Sequence, residues 1–257
     1  MIPKKIHYCW FGRNPLPSLA LKCIASWRKF LPDYEIIEWN EANFDVNVIP
    51  YTAEAYRQKK YAFVSDYARF LILYKQGGLY FDTDVEVICS MDDIIARGNF
   101  MGFEMDPDGK NTPGRYAPRY CFDVALGLGF GIEKEHPFMQ KMMDYYANME
   151  FNGAVLNPWF KTIVAYTTEE LMREGLENVA GIQQVGDITI YPREYFAPIN
   201  VISGRLHITP NTRTIHHYMG SWTDSNKKSI KKRLESFLPE SFFFILNRIQ
   251  RSRYKIR

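Results

Sequence analysis

Two acidic residues in an otherwise apolar segment place the strongest constraint on the fold. Residues 77–87 (GGLYFDTDVEV) combine the aliphatic, aromatic and β-branched side chains of a buried strand with Asp82 and Asp84. An unpaired carboxylate in a sheet interior would cost several kcal/mol or remain protonated. Because residues i and i+2 of a strand point to the same face, we expect both carboxylates to converge on one cation, and their hard oxygens favour Mg²⁺ or Mn²⁺. The alternative is a polar turn at the end of the strand.

The composition is that of a folded protein with one large domain. The chain has 257 residues, of which 46% are hydrophobic and 16% aromatic, so it can bury a substantial core. We find no signal-peptide pattern and no stretch of about 18 apolar residues that could span a bilayer, and we therefore expect a cytoplasmic protein. The four cysteines lack C-x-x-C spacing, which favours reduced thiols over a zinc site or a disulfide framework.

The order of helical and strand patterns predicts an α/β fold. A strand at residues 4–12, a helix at 18–30 and a strand at 34–39 form a βαβ start, and a helix at 62–76 stops at Gly77 and leads into the acidic strand. We also predict helices at residues 52–60, 136–146 and 168–174, strands at 125–132, 188–191 and 214–218, and a loop region at 98–119. No linker divides residues 1–224, which we predict to form one domain.

Three polar residues, Ser65, Asp66 and Arg69, interrupt the apolar helix that precedes the acidic strand. Asp66 and Arg69 are three residues apart and share a helix face, so an intrahelical ion pair worth a few tenths of a kcal/mol is one interpretation. The other is that these side chains bind a polyhydroxylated ligand beside a metal site. The second interpretation is favoured by the apolar character of that helix face and by its direct connection to the acidic strand.

A second unusual cluster, HHYMGSW, occupies residues 216–222. Adjacent imidazoles in a strand face opposite sides, so at most one of them joins a given site, and a lone histidine is more often structural than a ligand. The cluster could nevertheless supply a third metal ligand, while Ser221 and Trp222 offer a hydroxyl and an indole N–H to a phosphate. Trp10, at the end of the first strand, is either a core aromatic or a platform for a flat base at the carboxyl ends of the strands.

Taken in order, these segments resemble the DXD-containing sugar transferases of glycosyltransferase family thirty-two. That family includes bacterial capsule transferases and yeast initiating mannosyltransferases. The resemblance is carried by IHYCWFG at residues 6–12, by residues 27–40, by the ordered pattern from Ala62 through Ser65, Asp66, Arg69 and Gly77 to Asp84, and by residues 216–222. The catalytic domain of the large clostridial glucosylating toxins is similar at a greater distance.

The resemblance implies a GT-A fold, which is a Rossmann-like mixed sheet flanked by helices. It also implies that a hexose is transferred, with retention of configuration, from a UDP- or GDP-sugar in the presence of Mn²⁺ or Mg²⁺. By position, the resemblance implies that Trp10 would stack on the base and that the donor sugar and ribose would be held by Ser65, Asp66 and Arg69. Asp82 and Asp84 would bind the metal and ribose, and His217 would complete the metal site. The diphosphate would be contacted by Ser221 and Trp222. The residues thereby implied in catalysis are Asp66, Arg69, Asp82 and Asp84.

Residues 225–257 are predicted to form a basic, amphipathic helical tail. From Lys227 to Arg257, ten Lys or Arg residues outnumber two Glu residues, and apolar runs such as FFFIL at 242–246 lie between them. This composition is typical of helices on an anionic membrane surface, and equally of a C-terminal helix packed on the body with its basic face in solvent. Nucleic acid is not an expected partner, because the interleaved aromatics of single-strand binders are missing.

The leading functional hypothesis is a metal-dependent hexosyltransferase that builds a surface or capsular polysaccharide. Its acceptor would be a saccharide or a lipid-linked saccharide, and the enzyme would lie in the cytoplasm or on the inner face of the cytoplasmic membrane. One alternative is a glycoside hydrolase, whose two carboxylates would flank the sugar at roughly 5 to 9 Å from each other. Another is a non-catalytic sugar-binding or membrane-associated protein.

Overall fold

A computed structural model of the chain describes residues 1–109, 122–151, 162–200 and 203–219. Within these ranges the strands are β1 Lys5–Cys9, β2 Glu35–Trp39, β3 Gly78–Tyr80, β4 Val85–Val87, β5 Phe100–Met105, β6 Asp123–Val124, β7 Phe130–Ile132, β8 Gln183–Val185, β9 Ile188–Tyr191 and β10 Thr214–His216. The α-helices in the same ranges are α1 Ser18–Phe30, α2 Pro50–Arg57, α3 Tyr61–Gln76, α4 Asp92–Ile95, α5 Pro137–Ala147 and α6 Ile163–Arg173.

The described strands form a mixed sheet, which confirms the predicted α/β fold. Eight of them belong to the main sheet, where β1 lies between β2 and β3 and is parallel to both. The sheet continues through β7, β5, β9 and β8, with β6 paired to β5; the pairing of β5 with β9 is parallel and the other pairings of this half are antiparallel. Strands β4 and β10 pair antiparallel in a separate small sheet.

Two hydrophobic cores cover the faces of the main sheet. Buried residues of α2, α3, α5 and α6 build the first core, and α1 and β4 contribute to the second. Strand β1 serves both cores because its side chains alternate: Ile6 and Tyr8 join the second core, and Cys9 joins the first. Helices therefore lie on both sides of the sheet.

Helix α1 ties the small sheet to the large one. Its buried residues Ala20, Cys23, Ile24 and Trp27 repeat with the spacing of one helix face. The indole N–H of Trp27 donates a hydrogen bond of 2.7 Å to the carbonyl oxygen of Val85, the first residue of β4. The helix thus fixes the chain directly after the two aspartates.

Helix α3 passes into β3 through two glycines. Gly77 and Gly78 have φ of +62° and +112°, and a Cβ at either position would lie 2.7 Å from a backbone atom of a neighbouring segment. The fully buried His7 of β1 supports this turn: its Nδ1 accepts a hydrogen bond from Nε1 of Trp39 at 3.1 Å, and its Nε2 lies 3.0 Å from the carbonyl oxygen of Gly77. Because an indole only donates, Nδ1 is the acceptor and Nε2 carries the proton. Burial lowers the pKa of His7 to about 4.

The acidic segment is not one strand, so the strand interpretation of residues 77–87 is wrong. Strand β3 ends at Tyr80, β4 begins at Val85, and the two strands belong to different sheets. A hydrogen bond of 3.0 Å from the N–H of Val85 to the carbonyl oxygen of Asp82 closes a turn between them. Asp82 and Asp84 therefore lie in this turn, and strand alternation does not determine their orientation.

Two further predictions differ from the structure. Residues 98–119 were expected to be a loop region, but Phe100–Met105 is strand β5 in the middle of the main sheet. The turn signals at Gly98 and at residues 106–109 obscured the apolar run between them. Residues 125–132 are not one strand, because a 3-10 turn at Leu126–Leu128 precedes β7.

Part of the predictions falls outside the described residues. The tail at 225–257 does, and so do Ser221 and Trp222. A search of the described helices for a segment that is long and apolar enough to cross a membrane finds none.

Candidate active site

The candidate site lies at the edge of the main sheet where the carboxyl ends of parallel β1, β2 and β3 meet. Trp10 directly follows β1, Glu38 lies near the end of β2, and Asp82 follows β3 by two residues. Since β1 is the middle strand of the three, Trp10 lies between the other two residues along this edge. In open α/β sheets, ligands bind outside the carboxyl ends of the strands.

Asp84 is held by the residues that end and follow β10. Its Oδ1 lies 3.2 Å from Nε2 of His216, and its Oδ2 accepts a hydrogen bond of 2.7 Å from the backbone N–H of Met219. Burial alone would raise the pKa of Asp84, but the charge and hydrogen bond of His216 and the N–H of Met219 lower it to about 2. The carboxylate is therefore ionised at neutral pH.

Asp82, Asp84 and His216 form a cluster that fits a divalent cation. One ligand atom from each of the three residues lies within 4.8 Å of the others. The Nδ1 atom of His216 is buried without a hydrogen-bond partner in the structure. Two carboxylate oxygens and an imidazole nitrogen suit Mn²⁺ better than Mg²⁺, which prefers oxygen ligands and water.

His217, the predicted third ligand, does not face this cluster. Its Nε2 lies 2.8 Å from Oε2 of Glu86, and the same carboxylate oxygen accepts a hydrogen bond of 2.8 Å from Nζ of Lys22. The neighbouring His216 takes the position beside the aspartates that the sequence analysis gave to His217. At most one imidazole of the pair was expected to join the site, and in the structure the imidazole beside the aspartates is that of His216.

Arg69 joins the helix residues to the acidic turn. Its Nη2 lies 3.2 Å from Oδ1 of Asp66 and 3.4 Å from Oδ1 of Asp82, and its Nε donates to the carbonyl oxygen of Ser65 at 3.1 Å. The guanidinium also lies 4.6 Å from the centre of the Tyr80 ring. Only 5% of the Arg69 side chain is exposed, so the pair with Asp66 is not a solvated surface ion pair. Arg69 therefore brings Asp66 and the acidic turn together.

The pKa values of Asp66 and Asp82, the two carboxylates beside Arg69, are raised, whereas that of Asp84 is lowered. Burial raises the pKa of Asp66 to about 7 although the charge of Arg69 opposes this shift. Burial also raises the pKa of Asp82, again against the charge of Arg69. Arg69 thus compensates negative charge that would otherwise accumulate around the turn. The hydroxyl of Ser65 donates to the carbonyl oxygen of Tyr61 at 3.2 Å and remains within its own helix.

Trp10 borders a surface pocket of about 380 Å³. Its indole N–H donates to the carbonyl oxygen of Asn14 at 2.6 Å, which fixes the ring while leaving it partly exposed. The other residues that line the pocket are Arg13, Asn14, Glu38, Asn40, Glu41 and Ala42. Trp10 is therefore neither a fully buried core residue nor an isolated surface residue, and the pocket beside it lies at the ligand-binding edge of the sheet.

Comparison with known proteins shows what this chain is similar to. A family model described as "Glycosyltransferase sugar-binding region containing DXD motif" matches residues 17–101, which include α1, α3 and the Asp82-Thr83-Asp84 turn. The chain is a glycosyltransferase. The predicted resemblance to the DXD-containing sugar transferases is thus confirmed.

Two yeast proteins are similar to the glycosyltransferase over most of its length. One is "Initiation-specific alpha-1,6-mannosyltransferase" of Candida albicans. It is 22% identical over an alignment of 289 residues, gaps included, which covers 90% of this chain and 74% of the relative. The other has the same name and comes from Schizosaccharomyces pombe. It is 23% identical over an alignment of 258 residues, gaps included, which covers 87% of this chain and 64% of the relative. The glycosyltransferase therefore spans about two thirds to three quarters of the length of these relatives.

The fold has a counterpart among solved structures. The glycosyltransferase superimposes on the "PaToxG Glycosyltransferase" with a TM-score of 0.50 and 19% identity, over 68% of this chain and 70% of that one. This likeness supports the arrangement of the sheet and its helices.

Sequence reasoning missed Gly127 as a residue of the site. A Cβ at this position would overlap Oδ2 of Asp82 and lie 3.2 Å from its Cγ. Its carbonyl oxygen is 3.4 Å from the backbone N–H of Asp82. The missing side chain of Gly127 therefore leaves room for the carboxylate of Asp82.

Proposed function

We propose that the glycosyltransferase transfers a hexose from a nucleotide-sugar donor to a glycan acceptor, with a divalent ion held by Asp82, Asp84 and His216. The observation that carries the proposal is the convergence of these three ligand groups at the edge of the sheet that also carries the Trp10 pocket. When bound, the ion would supply Lewis-acid stabilisation of the negative charge that develops on the leaving diphosphate.

The donor would extend along the carboxyl ends of the three strands. Its base would stack on Trp10, and its diphosphate would lie near the acidic turn after β3. Strands β2 and β3 are two strand spacings apart, roughly 10 Å, which leaves room for a ribose between the pocket and the turn. Ser221 and Trp222 would contact the diphosphate, as the family resemblance implies.

Asp66 and Arg69 would orient the transferred sugar. The buried guanidinium of Arg69 holds both Asp66 and Asp82 in place, so sugar binding and ion binding are linked through one side chain. A carboxyl group with a pKa of about 7 can donate or accept a hydrogen bond, which suits a sugar hydroxyl at the position of Asp66.

We further propose that the anomeric configuration is retained through substitution on one face of the sugar. The bond from the anomeric carbon to the diphosphate oxygen breaks, the acceptor oxygen bonds to the same carbon, and the acceptor proton passes to the leaving phosphate. This reaction needs no side chain as a nucleophile. A glycoside hydrolase is less well supported, because Asp82 and Asp84 converge with an imidazole on one point and do not face each other across a sugar.

The names of the relatives favour mannose as the transferred hexose and a glycan as the acceptor. The basic composition of residues 227–257 supports a location on the inner face of an anionic cytoplasmic membrane, where a lipid-linked saccharide or a growing capsular polysaccharide would be accessible. Product analysis tests the transferred sugar and the acceptor, and vesicle binding tests the location at the membrane.

The proposal is tested by thermal shift and donor hydrolysis. GDP-mannose and a set of other GDP- and UDP-hexoses are compared in Mn²⁺, in Mg²⁺ and in EDTA. We expect one nucleotide sugar to raise the melting temperature only with the ion present, and Asp84→Asn to abolish turnover of that donor. Asp33→Asn is the matched control, because Asp33 is exposed and forms a solvated ion pair with Lys4 at the surface. Undiminished turnover by Asp84→Asn, or stabilisation that is equal in EDTA, would contradict the metal assignment.

A further inference from the structure

Glu86 and His217 form a partly buried contact close in sequence to the proposed ion ligands. His217 Nε2 lies 2.8 Å from Glu86 Oε2, and both side chains are largely covered, with 24% and 17% exposed. Glu86 is two residues after Asp84, and His217 is next to His216. Each residue of the contact is therefore close in the sequence to a different proposed ligand of the ion.

The backbone couples the contact to those ligands. Strands β4 and β10 pair so that Ile215 is opposite Glu86 and His216 is opposite Val85. Beyond the strand, the N–H of His217 donates to the carbonyl oxygen of Asp84 at 2.9 Å. Residues 216–219 then bend back toward Asp84 through Tyr218, which has a φ of +50°. A positive φ at a tyrosine is strained, so this bend requires support from its neighbours.

Two adjacent imidazoles offer the site two nearly equivalent ligands. Because neighbouring side chains diverge, anchoring one of them determines where the other points. Glu86 anchors His217, and His216 is left beside Asp84, where its ring also packs on Tyr218 at a centroid distance of 4.3 Å. Without the anchor, the chain after β10 would lose the only side-chain hydrogen bond that the described structure gives to His217.

We infer that Glu86, acting through His217, is a positioning residue that selects His216 as the ligand of the divalent ion. The inference rests on the proposed function, since it concerns the same ion site. Lys22 Nζ also lies 2.8 Å from Glu86 Oε2, but the Lys22 side chain is 61% exposed, so this ion pair is largely solvated and contributes little. Lys22 is therefore outside the positioning contact and provides a control.

The test measures Mn²⁺ binding directly, by the loss of the free-ion signal in electron paramagnetic resonance. The full chain is compared with Glu86→Gln, His217→Gln, the double variant and Lys22→Gln. We expect the Kd for Mn²⁺ to rise about tenfold in either single variant, as for other residues that orient metal ligands. The double variant should be no weaker than the single ones, because both substitutions remove the same contact. Lys22→Gln should keep the wild-type Kd.

A merely structural contact would give a different result. In that case Glu86→Gln and His217→Gln would lower the melting temperature of the ion-free protein while the Kd for Mn²⁺ stayed at the wild-type value, and the inference would be overturned. Additive effects in the double variant would overturn it too. If the wild-type protein itself bound no Mn²⁺, the proposed ion site would fall, whereas wild-type binding with unaffected variants would remove only the role of Glu86.

Discussion

Replacing Gly127 by alanine is expected to disable the glycosyltransferase without unfolding it. Gly127 is not among the described glycines with positive φ, so alanine fits its backbone conformation. The new methyl group would lie closer than 3.0 Å to Oδ2 of Asp82, a separation that side-chain carbons essentially never show. It would be 3.9 Å from Nη1 of Arg69, which is an ordinary contact. Asp82 is therefore the group that must move.

The size of the effect follows from how far Asp82 must move. Its carboxylate has to retreat by about 1 Å, and a displacement of this size in a catalytic group lowers the rate by roughly 10²-fold. The side chain of Asp82 is 31% exposed and can swing toward solvent, so the core is not disturbed. The free energy of unfolding should change by less than about 1 kcal/mol.

The assay combines steady-state donor hydrolysis in Mn²⁺ with urea unfolding. Gly102→Ala is the matched control, because its methyl group would overlap the ring of Phe196 in the core, away from the acidic turn. We expect the opposite result there, a loss of about 1 to 3 kcal/mol in stability with the activity of the folded enzyme retained. Wild-type turnover by Gly127→Ala, or a loss of activity that merely parallels unfolding, would refute the role assigned to this glycine.

Three further variants test other parts of the structure. Arg69→Met should lower the free energy of unfolding by about 3 to 5 kcal/mol in urea titrations, because it leaves two carboxylates without their buried cation; a loss below about 1 kcal/mol would contradict the bridge. Folding lowers the pKa of His7 from 6.5 to about 4, so the unfolded chain binds more protons than the folded one between these pH values. The free energy of unfolding should therefore fall by about 3 kcal/mol as the pH drops from 6.5 to 4. That slope should be absent in His7→Gln, which can still accept from Trp39, and its persistence would exclude His7 as the cause. Trp27→Phe should cost about 1 kcal/mol or more by removing the hydrogen bond to Val85, and donor hydrolysis should weaken with it; unchanged stability in urea would argue against this tie.

Local signals in the sequence determined the first part of the fold. Helix α1 begins and ends where its apolar repeat and its flanking prolines predict. Helix α3 ends at Gly77, whose φ of +62° and ψ of −172° combine in a region that is essentially restricted to glycine. Strand β5 was missed because its residues lie between strong turn signals and are buried by both cores, so they show no alternation. Its position became apparent only from its pairing with β7 and β9.

The burial of Arg69 shows a second limit of sequence reasoning. The spacing of Asp66 and Arg69 is the same for a solvated ion pair and for a buried bridge. What separates the two is the third partner, Asp82, which approaches only because the turn after β3 and the missing side chain of Gly127 admit it. Sequence spacing within one helix contains no information about that approach.

The choice between His216 and His217 depends on strand register. Side chains along a strand alternate between its two faces, so a shift of one residue in the pairing of β10 with β4 would exchange the positions of the two imidazoles. The observed register places His216 opposite Val85 and brings His217 to Glu86, a residue 131 positions earlier in the chain. Nothing next to the two histidines in the sequence encodes that pairing, and we infer that the Glu86 carboxylate favours this register through its contact with His217. If so, the same side chain that positions His216 also stabilises the register of the small sheet, and the ligand set of the site is specified by a contact that never touches the ion.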